Sequence, residues 1–133
     1  MQDLYIEATD KTPLVKCLYS SGTVAISGRS LPEDAARFWF PVIQWISDYY
    51  RNPQEDTFVI LNLEYLNSAS SSMLHKLFFA LERLERFEKS DVHCQWCVDE
   101  DDDQYELAQD IGNFFTRVPI DIVFDERSLR KCS

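Results

Sequence analysis

Between Thr57 and Phe79 the chain reads TFVILNLEYLNSASSSMLHKLFF, and no other stretch limits the fold as much. Thr57 to Tyr65 is a near-continuous apolar run rich in β-branched and aromatic residues. That is the pattern of a strand buried on both faces, in the middle of a sheet flanked by helices. From Met73 onward, Leu74, Leu77, Phe78, Leu81 and Leu84 recur at helical spacing. Between the two lies Asn67-Ser68-Ala69-Ser70-Ser71-Ser72, so a buried strand enters a hydroxyl-rich turn and the turn opens a helix. Ser and Asn suit a helix start because their side-chain oxygens accept from the orphan N–H groups of the first turn. Those N–H groups and the helix dipole also tolerate an added anion. A serine of this cluster is therefore placed to carry a phosphate.

The segments around this stretch set the fold class. Leu4 to Ala8 reads as an edge strand, broken at Thr12-Pro13. Leu14 to Tyr19 and Thr23 to Ser27 read as two strands joined by a turn at Ser20-Ser21-Gly22. Ser30 has the look of a helix N-cap, with Pro32 and Glu33 in the first turn as in a capping box. The helix that follows, Asp34 to Arg51, carries more apolar surface than one core-facing stripe needs, and Pro41 inside it predicts a kink. The surplus fits either a large core with aromatic rims or a partner-binding patch. Asn52 to Asp56 is a polar loop before the central strand. The second helix is expected to run to about Lys89, with Glu82–Arg86 and Glu85–Lys89 pairs along its outer face. Asp91 to Val98 and Val118 to Phe124 read as strands, Asp102 to Phe115 as a helix, and 125–133 as a polar tail. The order β–β–β–α–β–α–β–α–β implies right-handed crossovers and a mixed, mostly parallel sheet packed by about three helices. At 133 residues this is expected to be one α/β domain spanning the chain.

Composition excludes several functions. A net charge of −10 without a basic cluster speaks against nucleic acid, whose phosphates need a basic face. There is no apolar run of about 18 residues, so no membrane insertion is expected. The acidic opening MQDLYIEATD lacks a secretory pattern and points to the cytoplasm. Cys94-Gln95-Trp96-Cys97 has CxxC spacing, but on a strand those two residues face opposite ways and do not readily chelate one ion. Asp99, Asp101 and Asp103 alternate like the start of a calcium loop, yet Gln104 and Asp110 stand where the glycine and the closing glutamate belong. Those carboxylates are better read as capping the third helix at its positive end. No nucleophile elbow or glycine-rich phosphate loop is present. His75 near the serines, or Glu64 near Ser68, offers a conceivable base without a third member to orient it. A non-enzymatic protein without cofactor or metal is expected.

Strand, polar turn with a phosphorylatable hydroxyl, then helix resembles the anti-sigma-factor antagonist (STAS-like) domains. Within that group the chain is more similar to the SiaC family of bacterial regulatory phosphoproteins. The matching residues are Asp3 to Thr9 with Thr12-Pro13, Gly28-Arg29-Ser30 with Pro32-Glu33, and Phe38, Pro41 and Trp45, together with Leu63 to Ser72. In that family the residue after the Asn is phosphorylated; it is typically Thr, and Ser68 stands there. Leu66 replaces an expected Phe, and Ala69 and Met73 replace an expected Ser and Lys. The resemblance implies a partner switch. A Ser/Thr protein kinase (SiaB-like) phosphorylates Ser68 and a PP2C-type phosphatase (SiaA-like) reverses it. The unmodified form binds and activates a diguanylate cyclase (SiaD-like), raising cyclic di-GMP and promoting aggregation or biofilm. Ser70, Ser71 and Ser72 remain alternative acceptors. Glu64, Tyr65, Asn67, Ser70, Ser71 and the second helix are the expected partner surface. Other readings are a small-ligand-binding STAS-like sensor, an anti-anti-sigma factor acting on a sigma-factor pathway, and a plain scaffold.

Overall fold

A computed structural model describes residues 1–98 and 103–124. In chain order the elements are β1 (Leu4–Ile6), β2 (Leu14–Leu18), β3 (Thr23–Ser30), α1 (Ala35–Tyr49), β4 (Asp56–Leu66), α2 (Ser68–Arg86), β5 (Asp91–Val98), α3 (Asp103–Phe114) and β6 (Ile120–Phe124). The six strands form one sheet in their sequence order, β1-β2-β3-β4-β5-β6. β1–β2 and β2–β3 pair antiparallel, and β3–β4, β4–β5 and β5–β6 pair parallel. The mixed, mostly parallel sheet with three helices is the architecture the sequence predicts.

Sequential strand order has a physical consequence. Each parallel step is a right-handed crossover to the adjacent strand in the same direction, so α1, α2 and α3 all pack on one face. Burial follows. Val24, Ile26, Val59, Leu61, Leu63, Val92, Cys94 and Trp96 are buried under the helices. Their strand neighbours on the other face are mostly not: Ile60, Asn62 and Gln95 are half-buried, His93 is exposed and Phe58 is 43% exposed, while Cys97 near the end of β5 is buried. This corrects the expectation that the central strand is buried on both faces. A continuous apolar run does not report how many faces are covered; the strand order decides that. The helix-side core includes Trp39, Trp45, Ile46 and Tyr49 of α1 and Leu74, Leu77, Phe78, Leu81 and Leu84 of α2. Phe78 stacks on Trp96 of β5 with ring centroids 5.9 Å apart.

The hairpin turn between β2 and β3 needs Gly22. Its φ is +64°, and an added Cβ would stand 2.6 Å from the Asp56 carbonyl and 2.8 Å from the Tyr49 hydroxyl. Other boundaries differ from expectation. Asp34, not Ser30, caps α1, its carboxylate accepting from the Arg37 N–H at 3.1 Å. Ser30 is instead the buried last residue of β3, and its hydroxyl serves the core. α1 runs through Pro41, with Trp39, Val42, Trp45, Ile46 and Tyr49 buried and Phe40 60% exposed. α2 starts at Ser68, five residues before the predicted Met73, because Asn67 caps it and the serines form its first turn. The expected pairs on α2 do not form; among the described residues the one close contact of a basic side chain with a carboxylate is His93 Nε2 to Asp56, at 2.9 Å. Glu85 is engaged elsewhere, accepting from the Val92 N–H at 2.6 Å. Residues 99–102 of the acidic run and the 125–133 tail lie outside the described residues.

Cys17 and Cys94 are free and buried in the core. Desolvation pushes both thiols up from 9.0 to about 12, with the nearby Asp3 charge adding to the shift at Cys17. A raised thiol pKa means the folded chain holds the proton longer than the unfolded one. Its contribution is fully present below pH 9.0 and is lost as pH climbs towards 12. Urea midpoints are expected to fall steadily across that window. At neutral pH both thiols are expected to react with Ellman's reagent only on unfolding; fast labelling of Cys17 or Cys94 in the native protein, located by peptide mapping, would contradict the burial.

Candidate functional site

The site forms where β4 passes into α2. Leu66 ends β4, Asn67 caps, and Ser68 is the first helical residue. The Asn67 side chain accepts from the Ser70 N–H at 2.8 Å through its carbonyl oxygen. Its amide donates to the Pro32 carbonyl at 3.4 Å. The Asn67 N–H donates to the Ser30 carbonyl at 3.1 Å. The first bond caps the helix, and the other two pin its start to Ser30 at the end of β3 and to Pro32 just beyond it.

The four serines of the turn do different work. Ser70 is fully buried. Its hydroxyl lies 2.8 Å from the Ser30 hydroxyl and donates to the Ser30 carbonyl at 3.2 Å. The Trp39 indole N–H donates to the Ser30 hydroxyl at 3.3 Å. A buried polar cluster of this kind is stable because each member has a partner. Ser71 is half-buried, and its hydroxyl donates to the Asn67 carbonyl at 3.3 Å. The Ser72 hydroxyl donates to the Ser68 carbonyl at 3.4 Å. His75 lies 3.0 Å from the Ser71 carbonyl through Nδ1, where a ring N–H donates, so it serves helix backbone rather than a serine hydroxyl. Ser68 alone of the four is exposed with its hydroxyl unengaged among the described residues.

Ser68 borders a cavity of about 290 Å³ lined by Glu64, Tyr65, Leu66, Ser68, Ser71, Gln104 and Leu107. Glu64, Tyr65, Ser68 and Ser71 of the predicted set therefore meet at one place, and Asn67 supports them from beneath. Ser70 is the correction: expected at the partner surface, it points into the core and is not reachable by another protein. Among the described residues no Lys or Arg lines the cavity, and Glu64 is the one charged member. Gln104 and Leu107 of α3 were missed. Gln104 is buried, donating to the Leu63 carbonyl at 2.6 Å and accepting from the Trp96 indole N–H at 3.2 Å. The available signal was periodic: Gln104 shares a helical stripe with Ala108, Ile111 and Phe115, all buried. A polar residue in a core stripe implies a fixed hydrogen-bonding task.

Truncating Ser70 tests the buried cluster. Ser70→Ala leaves the Ser30 hydroxyl without its nearest partner, and is expected to cost about 1–3 kcal/mol of unfolding free energy. Chemical denaturation measures this. A loss below about 0.5 kcal/mol, the ordinary scatter of surface substitutions, would show that Ser70 has no structural role.

The architecture defines a two-layer α/β protein whose one singled-out hydroxyl opens a helix beside a cavity with no Lys or Arg among its described lining residues. This chain belongs to the SiaC family regulatory phosphoproteins, whose pattern matches residues 6–124. Its fold is similar to that of apo-SiaC from Pseudomonas aeruginosa, with a TM-score of 0.84 and 26% sequence identity over 92% of this chain and 99% of that one. It is equally similar to a chain in the crystal structure of the diguanylate cyclase SiaD in complex with its activator SiaC from the same organism. There the TM-score is 0.83 at 25% identity, over 92% and 100% of the two chains. An uncharacterised protein of Pseudomonas aeruginosa strain UCBPP-PA14 is 27% identical over 111 residues, 83% of this chain and 87% of that protein. Among the described residues no helix is long and apolar enough to cross a membrane, and no cluster of three or more His, Cys, Asp and Glu side chains is placed to hold a metal.

Proposed function

We propose that this protein is a non-enzymatic partner switch whose state is written on Ser68. A Ser/Thr kinase phosphorylates Ser68 and a PP2C-type phosphatase restores it. The unmodified form binds and activates a diguanylate cyclase, as SiaC of Pseudomonas aeruginosa, the activator of SiaD, does for its own cyclase. The observation that carries the reading is the Ser68 hydroxyl, exposed and unengaged at the first position of α2 in a phosphoprotein family.

Phosphorylation adds about −1.5 to −2 charge and three acceptor oxygens. The helix start tolerates that anion, with a dipole interaction worth about 0.3–1 kcal/mol. No cation of the cavity neutralises it, and Glu64 stands nearby. Among the described residues that line the cavity, no side chain is placed to pair the dianion. A partner packing over it would bury an uncompensated charge, which costs several kcal/mol. Glu64, Tyr65 and Ser71 surround the hydroxyl and form the proposed contact set, with Asn67 holding the geometry.

Intact-mass spectrometry of protein isolated from its host, with the site then localised by fragmentation, tests this. A phosphate increment on Ser68 is the expected result. An unmodified protein under every growth condition, or phosphate confined to another residue, defeats the proposal.

A further inference from the structure

One residue on the sheet face away from the helices is buried although none of the described helices covers it. Along β5, Val92, Cys94, Trp96 and Val98 belong to the helix-side core, so the residues between them point the other way. On that open face His93 is exposed and Gln95 half-buried, and Val123, the register partner of Cys97 on β6, is half-buried too. Cys97 is 2% exposed, yet it is no part of the helix-side core. It is also disulfide-bonded, whereas Cys17 and Cys94 are free. The sequence holds four cysteines, and the fourth is Cys132.

We propose that Cys97 and Cys132 form a redox-responsive pair, whose bond straps the 125–133 segment across the C-terminal end of the open sheet face. The reach allows it. Cys97 stands beside Val123 in the parallel register, and β6 ends one residue later at Phe124. Neighbouring strands lie about 4.8 Å apart, and a disulfide needs Cα atoms about 5.5–6 Å apart. The stretch from Asp125 to Cys132 spans roughly 26–29 Å when extended, enough to turn and come back to β5. The family pattern stops at residue 124, where this segment begins, so the pair is a property of this chain and stands independently of the switch at Ser68. Closing the bond is an oxidation. Each thiol gives up one proton and one electron as the S–S bond forms. Hydrogen peroxide takes both electrons and both protons, its O–O bond breaking to leave two waters. A dithiol opens the bond by exchange and becomes the disulfide itself. In a reducing compartment a bond of this kind follows the redox state instead of serving as a permanent staple.

The test uses the full-length protein, first reduced and then treated with hydrogen peroxide under native conditions. Free thiols are alkylated during unfolding, and the digest is mapped by mass spectrometry without reductant. The expected product is one cross-linked peptide pair joining Cys97 to Cys132, with Cys17 and Cys94 recovered alkylated. Reducing the oxidised protein is expected to lower its thermal midpoint by roughly 7–14 °C, because the loop from 97 to 132 is no longer closed in the unfolded chain. Cys132→Ser changes no residue of the described elements. It is expected to fold, to melt where the reduced wild type melts, and to be indifferent to both peroxide and reductant. A bond from Cys97 to any other cysteine or to a second chain overturns the pair. So does the absence of a cross-linked peptide after peroxide, or a Cys132→Ser midpoint equal to that of the oxidised wild type.

Discussion

Protein phosphorylated on Ser68 is expected to bind the diguanylate cyclase at least about 100-fold more weakly than the unmodified form, roughly 2.7 kcal/mol. Its own unfolding midpoint should barely move. The two expectations come from the same geometry. Within the folded chain the phosphate meets a capped helix start with N–H groups of the first turn around it, and displaces no described hydrogen bond of the Ser68 hydroxyl. At an interface it meets no cation among the described residues lining the cavity, so packing a partner over it is costly. Ser68→Ala is expected to fold, to resist the kinase and to bind the cyclase at all times. Ser68→Asp carries one charge and one fewer oxygen, so a partial loss of about tenfold is expected from it. Surface plasmon resonance with unmodified, phosphorylated, Ala and Asp forms measures the series. Full-strength binding by the phosphorylated form would sink the mechanism.

The largest effect on stability is expected from Trp39→Ala. Trp39 is fully buried in α1 beneath the site, and its indole N–H donates to Ser30, which meets Ser70. Truncation removes a large core side chain, at a cost of about 3–5 kcal/mol including the cavity left behind. It also takes one donor from the buried hydroxyl cluster. Against a total stability of about 5–15 kcal/mol, that loss brings the protein near the edge of folding. Trp39→Phe keeps most of the apolar volume and gives up the hydrogen bond, so about 1 kcal/mol from that bond is expected. Urea titrations of both variants separate packing from hydrogen bonding. Equal losses in the two would mean that the Ser30 contact, not the ring's volume, is what Trp39 supplies.

Much of the architecture was readable because the apolar periodicities are strong. The alternation of Val15 and Cys17, or of Val24 and Ile26, and the 3.6-residue rhythm from Leu74 to Leu84, leave little choice of element type. The capping position was less readable. Ser30 and Asp34 are both good caps in isolation, and only the third dimension shows that Ser30 is claimed by Ser70, forty residues away. The serine cluster carried the same ambiguity. Its composition marks a turn with hydroxyls, while the inward turn of Ser70 and the outward turn of Ser68 depend on helical phase. Moving the start of α2 from Met73 to Ser68 changes which serine faces the core. The lighter burial of the second face around Phe58 and Ile60 was hidden for another reason: both are as apolar as their buried neighbours, and the helices of the described residues lie on the other side.

The buried Ser30–Ser70 contact bears on how a kinase would choose its target. In an extended peptide spanning this region, four neighbouring alcohols offer much the same chemistry. Once the helix is seated, one is locked inward, two lean on main-chain carbonyls and one is left reaching outward. Selectivity then belongs to the shape of the substrate rather than to the letters around it. A kinase working on this protein would read a surface, and a short synthetic copy of the segment would be a poor and indiscriminate substitute.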